Sequence, residues 1–320
     1  MMEISDISEL AGKIKENICK VIVGKEDTID LVITALIAGG HVLLEDVPGT
    51  GKTMLAKSLA KSVGVDFKRV QFTPDLLPSD LTGINYYNQK EGDFTFRKGP
   101  VFTNILLADE INRAAPRTQS SLLECMEEKQ VTIDGVTRKL KEPYFVIATQ
   151  NPVETQGTFM LPEAQLDRFL IKMSIGYPST YEAGKILKRF INDDPFEKLD
   201  AVCSHDEICS ARESFKNVFV SPDILKYIVD ITEKTRKHNA VMIGVSPRGS
   251  LALLRASQAY AAIKGRKFVN PEDVKKLAVY VFAHRVIIKD EYKIRDIKAD
   301  SIIKEILNEV PVPTEKWDKE

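Results

Sequence analysis

Asp46-Val47-Pro48-Gly49-Thr50-Gly51-Lys52-Thr53 sets two glycines, a lysine and a hydroxyl in the order that wraps a backbone around a phosphate chain. The pattern is G-x-x-x-x-G-K-[ST], with Asp46 where the first glycine would stand. Gly49 and Gly51 allow backbone N–H groups to turn inward on an anion, and a helix starting near Lys52 adds its positive end. Lys52 then serves as a point charge for the β- and γ-phosphates, and the Thr53 hydroxyl as a Mg²⁺ ligand. The plain alternative is a glycine-rich strand-to-helix turn that happens to hold Lys-Thr. The flanks decide against it. The apolar run His41-Val42-Leu43-Leu44 leads in, and Leu55, Leu59 and Val63, with Ala56 and Ala60, recur behind at helical spacing. The residues predict a site for ATP or GTP, with Pro48, Gly49, Thr50, Gly51, Lys52, Thr53 and Met54 as the contacting stretch.

Hydrolysis needs a second metal contact and a group that positions water. Asn104-Ile105-Leu106-Leu107-Ala108-Asp109-Glu110 reads as a strand buried on both faces that delivers two acids at its carboxyl end. Asp109 suits the Mg²⁺ shell and Glu110 suits polarising the attacking water. Two core-strand acids left in solvent would be the bland reading, but beside a phosphate loop it loses force. A further buried run, Pro143-Tyr144-Phe145-Val146-Ile147-Ala148-Thr149, ends at Gln150-Asn151, and an amide there would lie beside the γ-phosphate if the two strands are neighbours. Arg168 stands just before the strand Leu170 to Ile175, and arginine stabilises the charge of a phosphoryl-transfer transition state. Taken singly, Asn151 is a strand-end turn former and Arg168 a surface charge.

The elements that must position these groups divide the chain. Up to about Pro178, buried strands alternate with helical patterns, which predicts a parallel sheet sandwiched by helices. Beyond it the reading finds no strand, while Ser221-Pro222, Ser246-Pro247 and Asn270-Pro271 each pair a cap with a proline at a helix start. The expected domains are residues 1–178, an α/β nucleotide-binding domain, and residues 179–320, an all-α lid of roughly five helices hinged near Tyr177-Pro178. The tail after Pro311 reads as loose. With 320 residues, 43% hydrophobic and 28% charged, the chain has the composition of an ordinary globular protein. A net charge of −1 argues against nonspecific nucleic-acid binding. Met1 to Asp6 is acidic and lacks the order of a signal peptide, and Leu31 to Leu44 is too short to span a bilayer, so the expected location is cytoplasmic. Cys19, Cys125, Cys203 and Cys209 form no C-x-x-C pair. Cys203, His205 and Cys209 are metal-like, but Ser204 with Glu207 reads as a capping box opening a helix through Phe215.

The chain resembles the MoxR branch of the AAA+ ATPases along nearly its whole length. The stretches that carry the resemblance are Leu44 to Thr53, Gln71 to Asp80, Gly99 to Phe102, Ala108 to Ala114, Ala148 to Pro152 and Leu161 to Phe169. The resemblance implies an AAA+ core with a helical lid, a tolerated Asp46, Asn151 as the sensor-1 amide and Arg168 as an arginine finger donated to the next subunit. Arg113 and Arg117 are the reserve candidates for the finger. It also implies Val23-Gly24 as the adenine-side contact and a sensor-2 arginine on the lid. Local physics picks Arg248 for the last role. Ser246-Pro247-Arg248 reads as N-cap, N1 and N2 of a helix that stops near Gly265, so the guanidinium and free N–H groups can face one anion.

Gln130 to Arg138, with Asp134-Gly135 between β-formers, reads as a hairpin and matches the family's pre-sensor-1 hairpin. Ile84 to Phe96, with Tyr86, Tyr87 and Phe94, matches its helix-2 insert. Each is either a surface hairpin or a client contact. The expected function is a Mg²⁺-dependent ATPase that forms a homo-oligomeric ring, a hexamer, and remodels or matures protein clients. The resemblance suggests a partner carrying a von Willebrand factor A domain. A nucleotide-gated scaffold with incidental turnover and a DNA-acting motor of the same clade are the alternatives.

Overall fold

The computed structural model describes residues 2–152, 157–191 and 193–313. The chain forms two compact units, one of residues 10–212 and one that joins the residues up to 9 to those from 213 on. Along the chain to the end of the first, the elements are α1 (Ile4–Cys19), whose residues up to 9 count with the second unit, α2 (Glu26–Ile37), β1 (Val42–Glu45), α3 (Lys52–Val63), β2 (Phe67–Gln71), α4 (Pro78–Thr82), β3 (Gly83–Asn88) and β4 (Asp93–Lys98). They continue with β5 (Ile105–Asp109), α5 (Pro116–Glu128), β6 (Gln130–Ile133), β7 (Val136–Lys139), β8 (Phe145–Gln150), α6 (Glu163–Leu166), β9 (Ile171–Met173), α7 (Thr180–Arg189) and α8 (His205–Ser214).

Five strands make one parallel sheet in the order β2-β5-β8-β1-β9. Every residue of β5 and β8 is buried, as their unbroken apolar runs require of strands covered on both faces. Because all five strands run the same way, the segments after β1, β5 and β8 emerge on one edge of the sheet. That edge is where ligands bind in open α/β sheets. The two predicted hairpins are present as β3–β4 and β6–β7. Asp134 and Gly135 have φ of 50° and 76°, the left-handed pair that a two-residue hairpin turn needs.

The division at 212 lies downstream of the expected hinge at Tyr177-Pro178. The segment between is hydrogen-bonded into the sheet unit. Val202 N donates to Ser62 O at 2.8 Å, Asn17 Nδ2 to Asp200 O at 2.9 Å and Arg212 Nε to Leu36 O at 2.9 Å. The Ser204–Glu207 capping box opens α8 as expected, with Ser204 N on Glu207 Oε2 at 2.8 Å.

The second unit holds α9 (Pro222–Lys237), β10 (Val241–Ile243), α10 (Pro247–Ile263), α11 (Pro271–Phe282), β11 (Ile287–Ile288), α12 (Asp290–Lys293) and α13 (Ala299–Glu309). Its three cap-proline starts are where the sequence puts them, and Ser221 and Ser246 accept from Ile224 N and Gly249 N, both at 3.3 Å. Ile228, Ile231, Leu253, Ala256, Leu277, Val281 and Ile303 form its buried interior. The helices are joined by an antiparallel pair, β10–β11, which the sequence reading lacks, since strands of three and two residues are too short to show a period. The C-terminal tail read as loose lies mostly outside the described residues. Among the described residues no helix is long and apolar enough to cross a membrane.

Candidate functional site

Gly49 and Gly51 have φ of 82° and 89°, and a Cβ built on either would meet nothing within 4 Å. Glycine is required here by the left-handed backbone and not by crowding. Gly51 is the N-cap of α3, makes no side-chain cap bond and is followed by no acid in the first turn. The positive end of α3 is therefore unanswered by a side chain of its own, which suits a phosphate. Lys52 arches back over the loop, with Nζ 2.9 Å from Asp46 O and 3.1 Å from Val47 O.

Asp46 explains how the loop tolerates losing its first glycine. The side chain is buried, and its carboxylate accepts from Ser174 Oγ at 3.0 Å, from Ile175 N, and from Gly176 N at 3.2 Å. Its own N–H donates to Gln150 O at 3.1 Å. Asp46 thus pins the loop's entry to the ends of both neighbouring strands, β8 and β9.

Asp109 closes β5 and is clasped from both sides. Arg69 of β2 donates to Oδ2 through Nε at 3.1 Å and a terminal nitrogen at 2.7 Å, and Thr149 of β8 donates its hydroxyl to Oδ1 at 2.6 Å. The same Thr149 oxygen accepts from Glu110 N at 2.8 Å, so one hydroxyl fixes both acids. Glu110 sits at φ 54°, a left-handed conformation that costs a non-glycine residue about 1 kcal/mol. Its Oε2 accepts from Gln71 Nε2 at 2.8 Å and from Arg113 at 3.0 Å. Asn151 follows β8, which lies between β1 and β5, so the adjacency on which its predicted role depended is met, and it is buried.

One edge of the sheet therefore collects Lys52, Thr53, Asp109, Glu110 and Asn151. Arg168 is not among them. It precedes β9, whose start pairs with the start of β1 through Leu170 N on His41 O at 2.9 Å, so it stands at the opposite edge from the loop that follows β1. There it forms an ion pair with Glu127 at 3.1 Å. Arg113, a reserve candidate for the finger, is engaged by Glu110 of its own site. Val23 and Gly24 lie in the turn between α1 and α2, where Gly24 has φ 71°, a left-handed backbone that favours glycine, and the Glu182 side chain lies against it. Arg248 occupies the second position of α10, in the other unit.

Sequence reasoning missed Arg69, Gln71 and the bracing role of Thr149. The only signal was the alternation of Arg69 and Gln71 on an otherwise polar edge strand. Among the described residues no three His, Cys, Asp or Glu side chains cluster to hold a metal. A Mg²⁺ ion would instead take Thr53, Asp109 and phosphate oxygens, which suits its preference for few protein ligands.

Residues 41–171 match the ATPase family associated with various cellular activities (AAA), and residues 233–306 match the AAA lid domain. The chain is 51% identical to an uncharacterized protein of Bacillus subtilis, YeaC, over 97% of each. It is 39% identical to Chaperone MoxR1 of Mycobacterium tuberculosis, over 92% of this chain and 80% of that one. It is 30% identical to Protein MoxR of Methylorubrum extorquens, over 97% of each. A crystal structure from Cytophaga hutchinsonii, provisionally described as an ATPase, superposes with a TM-score of 0.90 at 38% identity, over 97% of this chain and 96% of that one.

Proposed function

Since the chain belongs to the MoxR family of AAA+ ATPases, we propose that it is a Mg²⁺-dependent ATP hydrolase that works as a ring and remodels protein clients. The observation that carries the reading is the meeting of Lys52, the Asp109–Glu110 pair and Asn151 at the carboxyl ends of three adjacent strands. Lys52 and the N–H groups around Gly49 and Gly51 hold the phosphates. Thr53 and Asp109 would hold Mg²⁺, which when bound would supply positive charge beside the transferring phosphoryl group. Glu110, oriented by Gln71 and Arg113, accepts the proton of the attacking water. Asn151 donates its amide beside the γ-phosphate, and Val23-Gly24 borders the adenine.

Arg168 supports the assembled form of this reading. An arginine at the far edge of the sheet cannot serve its own phosphate loop, so its finger role belongs to a neighbouring subunit's site. Arg248 couples the lid to the nucleotide. The Mycobacterium tuberculosis relative is named a chaperone, which favours protein clients over nucleic acid.

Glu110→Gln is the test. It should bind ATP with near wild-type affinity and hydrolyse it at least about 10²-fold more slowly, because an amide takes no proton from water. Normal turnover would remove Glu110 from the role.

A further inference from the structure

At the start of β2, across the sheet from Asp109, a cavity of about 450 Å³ opens beside the bases of both hairpins. Lys68, Lys98, Arg138, Lys139 and Lys141 line it, and the one acid among its walls, Asp66, is already paired with Lys141. That pairing and the nearby Lys68 hold the Asp66 carboxyl below its ordinary range. Arg138 is fixed by its stack on the Phe96 ring, 4.0 Å from the centroid, and by its bond to Val136 O. Among the described residues Lys68, Lys98, Arg138 and Lys139 have no carboxylate in salt-bridge contact, so the hollow gathers positive charge in a chain whose net charge is −1. Like charges held together repel, and an anionic partner would relieve them.

We infer that this hollow binds an acidic segment of a partner protein. Two features favour a peptide over nucleic acid. Among the lysines themselves Phe102 is buried and Phe96 is covered by Arg138, so the exposed rings, Tyr87 and Phe94, stand away from the charges and not interleaved with them as base stacking along a backbone track requires. The β3–β4 tip beyond carries Glu91 and Asp93 beside Lys90, which interrupts any basic track for a phosphate backbone. A peptide has what the surface asks for. Phe94, Phe96 and Lys98 alternate onto one face of β4, and Phe94 pairs across the hairpin with Tyr87, both rings exposed. Carboxylates in the hollow would set an apolar side chain of the same segment against Tyr87 and Phe94. The hollow is separate from the nucleotide site, and its test reads binding alone.

The probe is a fluorescein-labelled peptide of glutamates interspersed with leucine, titrated with the full chain and followed by anisotropy across a salt series. Lys98→Glu with Lys139→Glu should weaken binding about tenfold, and the neutral pair Lys98→Gln with Lys139→Gln should fall between it and wild type. The control reverses two exposed lysines elsewhere, Lys188→Glu with Lys226→Glu, and should change affinity less than about twofold. ATP affinity should be the same in all variants, which shows that they fold. Equal weakening by the control pair would overturn the assignment. So would a wild-type chain that ignores the peptide, or one that binds a single-stranded oligonucleotide of equal charge more tightly.

Discussion

Arg69 donates two hydrogen bonds to the same carboxylate oxygen of Asp109, at 3.1 and 2.7 Å, from the strand that borders β5. The guanidinium is about half exposed, so the pair contributes at most ~1 kcal/mol to stability. On the proposed role of Asp109 as a Mg²⁺ ligand, Oδ2 is an oxygen the ion would use, and the larger effect of Arg69 would be on chemistry. Thr149 fixes the other oxygen, so Arg69 is the partner that must yield.

Arg69→Ala should therefore lower the Mg²⁺ concentration needed for half-maximal nucleotide binding by about fivefold, the equivalent of ~1 kcal/mol. Binding of a fluorescent ATP analogue over a Mg²⁺ titration measures it. An unchanged or higher requirement would mean that Arg69 only orients the acid.

Asp46→Gly restores the glycine of the phosphate-loop pattern but removes the acceptor for Ser174, Ile175 and Gly176. Buried donors left without a partner cost about 1–3 kcal/mol each, less where water enters. The variant should lose about 2 kcal/mol in denaturant unfolding while nucleotide affinity changes little. A variant as stable as wild type would show the anchor to be dispensable.

His41 gives the fold a pH dependence. Val146 N donates to Nδ1 at 3.0 Å and Nε2 lies 3.1 Å from Met126 O, so the buried ring is held neutral. Burial lowers its pKa from 6.5 to about 4. The unfolded chain takes up a proton near 6.5 and the folded chain only near 4, so the contribution is complete above 6.5 and is lost as pH falls through that window. The slope reaches about 1.4 kcal/mol per pH unit. Between about pH 7 and about pH 5, wild type should lose ~2 kcal/mol more stability than His41→Gln, read by denaturant unfolding. Parallel profiles would contradict it.

How much the sequence disclosed depends on how each feature is encoded. Buried strands such as β5 and β8 are legible because both faces are apolar, and the cap-proline starts of α9, α10 and α11 because they are written in adjacent residues. The hairpin at Asp134-Gly135 is legible for the same local reason. The edge strand β2, Phe-Lys-Arg-Val-Gln, is not, since three of its five residues are exposed and its pattern is polar. Arg69 and Gln71 go unread with it, because their meaning lies in a neighbour forty and thirty-nine positions away. The basic hollow escapes too. Its lysines come from separate stretches of the chain, and only folding brings them to one place.

We propose that a working site takes its phosphate loop from one subunit and its arginine finger from the next. Lys52 follows β1 and Arg168 precedes the parallel neighbour β9, so the two stand at opposite edges of one sheet. An arginine finger is worth about 10³–10⁵ in rate, so Arg168→Ala should be almost inactive while binding ATP normally, and Lys52→Ala should be inactive without binding. The direct measurement is ATP turnover of a mixture of the two variants in assemblies shown to contain both. Activity well above either variant alone is the predicted result, because some interfaces pair an intact loop with an intact finger. A mixture as inactive as its parts, in assemblies that demonstrably contain both, would contradict the account.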